Sequence, residues 1–416
     1  MSGLADIDLT DLDRFAAGFP HDTFTRLRRA APVWRHPPTA HTPDGESFWV
    51  VSRHADVTAV AADAATFSSV SGGARAGGGT LIEDLPRGFA AGVLLNMMDD
   101  PRHRRIRRLV TPAVSPRALA RLEAELRART ATIVDAALAR GACDFLVDVA
   151  AELPLQATAI LLGIPQADRH DILAWANATL DYDDRDLGEQ SAKTRAAAAA
   201  MFAYGARLIE EKRRRPADDV LSAVVHGRVA GDDGAPAPLT DLELQMFFNL
   251  LIAAGSETTR NSLAIGLLAL VEHAGAWRAL ARERALLPTA VEEILRWASS
   301  TTYNRRTATR DVELRGQRIA AGDKVTLWWT SANRDEDVFA EPFRFDVRRD
   351  PNPHVAFGSA GHFCLGAGLA RLEIRLVIEA LLDRGAEIAL AGPVVWMRSN
   401  KHHGVRYMPV TLHTRC

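Results

Sequence analysis

Between residues 247 and 270 the chain carries an apolar run long enough to cross a lipid bilayer, but Glu257 and Arg260 interrupt it. A lipid-spanning reading would place both charges in hydrocarbon, which is costly. The run therefore reads as the middle of a long core helix covering residues 242–270, with no membrane anchor. Such a helix needs a large apolar interior around it. With 47% hydrophobic and 25% charged residues, the composition can supply that interior.

Apolar residues recur at helical spacing in three further stretches, 119–140, 191–215 and 365–384. Thr240 with Glu243, and Thr289 with Glu292, have the spacing of capping boxes, and Gly385 suits a helix C-terminus. Strand-like runs lie at 48–51, 325–329 and 405–412, and the glycine-rich stretch 71–80 reads as a loop. The expectation is a mainly α fold with small β-sheet regions near the N- and C-terminal parts. No repeat or linker divides it, so residues 1–416 are read as one domain. The acidic start lacks the basic flank of a signal peptide, and the chain is read as cytoplasmic. A formal charge of -2 gives no overall attraction to nucleic acid.

The three cysteines, Cys143, Cys364 and Cys416, are far apart and form no CxxC pair. Cys364 stands out by its surroundings: small residues precede it, and an amphipathic helix with Leu365, Leu369, Leu372 and Leu376 on one face follows. Thiolate is favoured at a helix N-terminus and is the form that binds metal. The residue types Phe357, Gly358, His362, Cys364 and Gly366 resemble the haem-binding signature F-G-x-G-x-H-x-C-x-G of the cytochrome P450 family. Ala360 departs from it, standing where the family usually has glycine.

The resemblance extends along the chain. Glu293 and Arg296 match the family's E-x-x-R pair, which implies a structural role in folding and haem retention. Ala254 to Thr258 is similar to the A-G-x-[DE]-T motif of the helix crossing over the haem. Thr258 is thereby implied to steady dioxygen and Glu257 to relay protons, the two catalytic candidates. His103, Arg107, Arg306 and His362 fall at family positions that hold the haem propionates, carboxylates that need cationic or hydrogen-bonding partners.

Membership would imply a single triangular fold, one haem b with Cys364 as the metal ligand, dioxygen as co-substrate, and a monomer. Electrons would come from NAD(P)H through a ferredoxin reductase and a ferredoxin, the latter steered by the basic run Arg104, Arg105, Arg107 and Arg108. By family position, Leu94, Leu95 and Met97 would line the substrate pocket together with Leu180 and its neighbour Tyr182. Asn249, Leu250 and Ala253 would join them from the long helix, and Thr302, Tyr303 and His402 from the C-terminal half. That lining favours a small apolar organic substrate, read first as a terpenoid, steroid or lipid-like molecule. The alternatives are tailoring of a polyketide or peptide natural product in secondary metabolism, and peroxide-driven haem chemistry. Glu257 and Thr258 together speak against the last.

Overall fold

The long apolar helix is present, and its ends show how the chain is built. In the computed structural model, which describes residues 4–71, 75–180, 192–231 and 234–414, it runs Asp241–Glu272. The helices, in chain order, are α1 (His21–Ala30), α2 (His54–Ala62), α3 (Arg102–Val110), α4 (Pro116–Arg140), α5 (Glu152–Leu162), α6 (Arg169–Leu180) and α7 (Ala192–Arg214). They continue with α8 (Val220–Val225), α9 (Asp241–Glu272), α10 (Ala274–Arg282), α11 (Leu287–Ala298), α12 (Trp329–Ala332) and α13 (Ala367–Asp383). Among the described residues no single helix is long and apolar enough to cross a membrane.

Helix α9 starts at the Thr240–Glu243 capping box, each side chain satisfying the other's backbone N–H. Its N-terminal residues Leu244, Phe247, Phe248 and Ile252 belong to a core shared with α5, α7 and α8. The segment from Leu263 to Leu270 belongs to a second core, shared with α4, α11 and α13. Between the two lie Ala253 to Thr258. Gly255 permits close approach to α5 there, since a Cβ on it would stand 2.6 Å from Thr158 Oγ1. The opposite side of the same turns is not packed shut: Ala254 is exposed and Thr258 half-buried.

A mixed sheet lies at one end, in the strand order Val33–His36, Phe48–Val51, Lys324–Trp328, Tyr303–Ala308, Phe67–Ser68. The second and third strands are parallel, the other pairs antiparallel. A three-stranded antiparallel sheet joins Ala386–Leu390, Pro409–Thr414 and Ala142–Asp144.

Three local expectations need correcting. The Thr289–Glu292 capping box does not form, because α11 begins earlier, at Leu287 with Pro288 in its first turn. Thr289 instead donates to the carbonyls of Leu286 and Val347. The glycine-rich stretch is not all loop, since Gly77–Gly78 pairs with Leu85–Pro86. The run at 405–412 is two strands, Val405–Tyr407 and Pro409–Thr414.

Candidate active site

Helix α13 begins at Ala367, so Cys364 precedes the helix and does not cap it. Its N–H donates to Phe357 O at 2.8 Å, closing the loop that the glycine-rich segment makes. That loop needs two left-handed residues, Gly358 at φ 72° and Ala360 at φ 56°. The alanine thus keeps the backbone shape that glycine adopts freely, at the cost of a Cβ crowded against its own carbonyl. Cys364 is exposed at the surface of the loop, while Cys143 is half-buried.

Around this loop the four anion-binding candidates come together. The rings of His103 and His362 stack with centroids 4.1 Å apart. Arg107 on α3 donates to Phe363 O. Arg306 is 4% exposed and donates to Arg305 O at 2.9 Å. Burial depresses the Arg306 pKa to about 10, with Asp99 the acid that partly offsets it. Burial, then the charges of Arg306, His103 and Arg107, push His362 down to about 3, so its ring is neutral. The cluster joins two arginines, the half-buried Arg107 and the buried Arg306, to two imidazoles, and Asp99 is the acid that faces Arg306. This cluster fits a ligand that brings carboxylates into the interior, as the propionates of a haem would.

Two members of this patch carry no sequence motif. Ser69 Oγ lies 3.1 Å from His362 Nε2, and Asp99 accepts from Ser69 N at 2.7 Å and from the Ser68 hydroxyl. Their proximity depends on tertiary folding, and nothing local announces it.

The Glu293–Arg296 pair has both side chains at 0% exposure. Arg296 bonds Glu293 through Nε and Nη2 at 2.8 and 2.7 Å, and donates through Nη1 to Asn333 O and Pro342 O at 2.9 Å each. Glu293 also accepts from Asp346 N, Arg349 Nε and Asn352 Nδ2. One ion pair thus gathers the irregular stretch leading to the cysteine loop.

On α9, Glu257 is 4% exposed and Thr258 Oγ1 donates to Ala254 O at 2.9 Å. Ala254, Leu250 and Thr258, spaced by four, share one face. The other pocket candidates divide. Leu94, Asn249, Leu250, Ala253 and His402 are half-buried, and Gln245 Nε2 donates to Asn249 Oδ1 at 3.1 Å. Leu95 and Met97 are buried, Leu95 within the helical core. Tyr303 does not line a pocket: it sits in the N-terminal core against Trp328, with Lys401 Nζ 4.5 Å from its ring centre. Thr302 is fully buried and donates to Asn400 O. His403 is 8% exposed and stacks on Trp396. The Leu180 side chain and Tyr182 lie outside the described residues. The basic run also divides. Arg104 and Arg108 are exposed, whereas Arg105 is tied to Ala230 O and Gly231 O.

Comparison with known proteins agrees with this geometry. The family model "Cytochrome P450" matches residues 175–384. The chain is 49% identical over 412 residues to cytochrome P450 126 of Mycobacterium tuberculosis, covering 99% of this chain and 98% of that one. It is 38% identical over 425 residues to the methyl-branched lipid omega-hydroxylase of the same organism, covering 98% and 95%. The solved Mycobacterium marinum cytochrome P450 CYP268A2, in complex with pseudoionone, superposes with a TM-score of 0.88 at 36% identity, covering 99% of each chain.

Proposed function

The chain belongs to the cytochrome P450 family and is a monooxygenase, and from that premise we propose that it inserts one oxygen atom of dioxygen into a branched, lipid-like apolar molecule. The observation that carries the reading is an exposed cysteine beside a cluster of two arginines and two imidazoles, Arg107, Arg306, His103 and His362. A haem b is the group that asks for both, a thiolate for its iron and cations for its propionates. When bound, it supplies dioxygen activation, favoured by thiolate donation.

This chain's own residues do the rest. Cys364 ligates the iron, with Phe357, Gly358 and Gly366 shaping the loop that presents it. Arg306, His103, His362 and Arg107 hold the carboxylates. Glu257 and Thr258 on α9 would hold and pass protons, since oxygen chemistry needs timed proton delivery in a water-poor site. Leu94, Leu250, Ala253 and Ala254 offer apolar surface to substrate, with Asn249 and His402 as polar neighbours. Leu95 and Met97 stand behind that lining. The methyl-branched substrate class in a relative's name supports the lipid-like reading.

Electrons come from NAD(P)H through a ferredoxin reductase and a ferredoxin that docks on Arg104 and Arg108, in the cytoplasm. Glutamate at both positions is expected to weaken ferredoxin-supported turnover at low salt, and unchanged turnover would remove that docking site.

The carbon monoxide complex of the reduced protein tests the ligand. A thiolate-type Soret band that disappears in Cys364→Ala is expected, and a histidine-type band would overturn the reading. A spectral-shift screen of branched lipids, terpenoids, steroids and macrocycles tests the substrate. Responses confined to macrocyclic polyketides or peptides would replace the lipid-like proposal with natural-product tailoring.

A further inference from the structure

Helix α13 carries Arg371, whose surroundings the proposed reaction does not use. Its guanidinium forms a two-pronged bond with Glu292 of α11, Nε to Oε1 at 2.7 Å and Nη2 to Oε2 at 2.9 Å. Its central carbon stands 4.7 Å from the ring centre of Phe357, the residue whose carbonyl accepts the Cys364 N–H. The same Glu292 carboxylate takes a third bond from His354 Nε2 at 3.0 Å. The His354 ring accepts Ala356 N–H at Nδ1, which leaves its proton on Nε2 to meet the carboxylate. One carboxylate therefore ties α11, α13 and the entry to the cysteine loop.

We propose that the Arg371–Glu292 pair sets the electrostatic environment of Cys364, and through it the reduction potential of the iron that the cysteine holds. The inference rests on the reading of Cys364 as ligand. Arg371 and Arg107 both stand against the cysteine loop, Arg371 over the Phe357 ring and Arg107 on the Phe363 carbonyl. Arg371 acts through a pair, so its positive charge is largely cancelled by Glu292. One-electron reduction of the ferric site adds a negative charge beside the thiolate. A bare cation at position 371 favours the reduced form, and a bare anion at 292 opposes it. A merely structural brace would not distinguish the two.

The test uses the haem-loaded, ligand-free enzyme and its Glu292→Gln, Arg371→Gln and doubly substituted variants, titrated spectroelectrochemically. At fixed applied potential Glu292→Gln is expected to raise the ferrous-to-ferric ratio on the order of tenfold. Arg371→Gln is expected to lower it by a similar factor, and the double variant to return within about threefold of the parent. Shifts of the same sign in both single variants, or none in either, overturn the proposal. If Arg371→Gln does not retain haem, Arg371→Lys keeps the charge and must keep the parent ratio; a shifted ratio there also overturns it. The carbon monoxide band of the parent checks the Cys364 reading separately, so the two failures are distinguishable.

Discussion

The two sides of the site differ in how tightly they are specified. On the Cys364 side, Glu293, Arg296, Glu292 and Arg371 form a mesh of ion pairs in which each carboxylate serves several donors. On the α9 side, the face formed by Leu250, Ala254 and Thr258 is small or apolar and remains accessible. The first arrangement holds one geometry. The second leaves room for whatever molecule the enzyme oxidises, and a side chain can change there without leaving a charge stranded.

Arg296→Leu should break the comparison most severely. It removes the closest counter-charge of the fully buried Glu293 carboxylate, leaving Arg349 as its cation, and frees the carbonyls of Asn333 and Pro342. Breaking a buried pair this way costs about 3–5 kcal/mol, and thermal melts together with haem retention would register it. A loss below about 1 kcal/mol, the range of exposed pairs, would mean that the mesh is not what holds this side.

Glu373 is the exception on the Cys364 side. It is fully buried on α13, and burial, only partly opposed by the Thr259 hydroxyl, raises its pKa from 4.5 to about 8. A folded-state pKa above the unfolded value means that stability is fully present below pH 4.5 and is lost as pH rises toward 8. Glu373→Gln should match the parent near pH 4.5 and exceed it by about 3 kcal/mol near pH 7. Urea unfolding at several pH values checks the slope, and a parallel pH dependence in both proteins would show that Glu373 is charged when buried.

Legibility follows the same division. The cysteine loop, the Thr240 cap and the E-x-x-R spacing are written in short contiguous segments, where periodicity and turn chemistry suffice. Tyr303, expected in the pocket by family position, sits in the N-terminal core. Nearly every residue of Tyr303–Ala308 is buried on both faces, so alternation does not say which face meets the site. Ser69 and Asp99 join the site from segments remote in sequence. Arg371, by contrast, lies seven residues after Cys364, about one turn into α13, where a local signal exists.

Ala360→Gly is a smaller perturbation of the cysteine loop. Relief of the left-handed alanine gains about 1–2 kcal/mol, while glycine's extra freedom in the unfolded chain gives back about 0.4–1 kcal/mol. The net gain is about 0.8 kcal/mol, read as a slightly higher melting temperature with an unchanged carbon monoxide band. A destabilised variant would mean that the Ala360 methyl is packed favourably enough to outweigh its backbone strain.

The smallest effect on stability is expected on the other side, and it sharpens the contrast most. Ala254→Leu adds apolar volume on the accessible face of α9, in a helix that tolerates leucine as well as alanine, so stability should stay within about 0.5 kcal/mol of the parent. Ligand response should not: the added side chain occupies space offered to substrate, and bulky ligands that shift the parent spectrum should lose affinity while slender ones keep it. If every ligand bound as before, the face that Ala254 shares with Thr258 would not be the one substrate meets. If the variant unfolded, that face would be packed after all, and the two sides of the site would be specified alike.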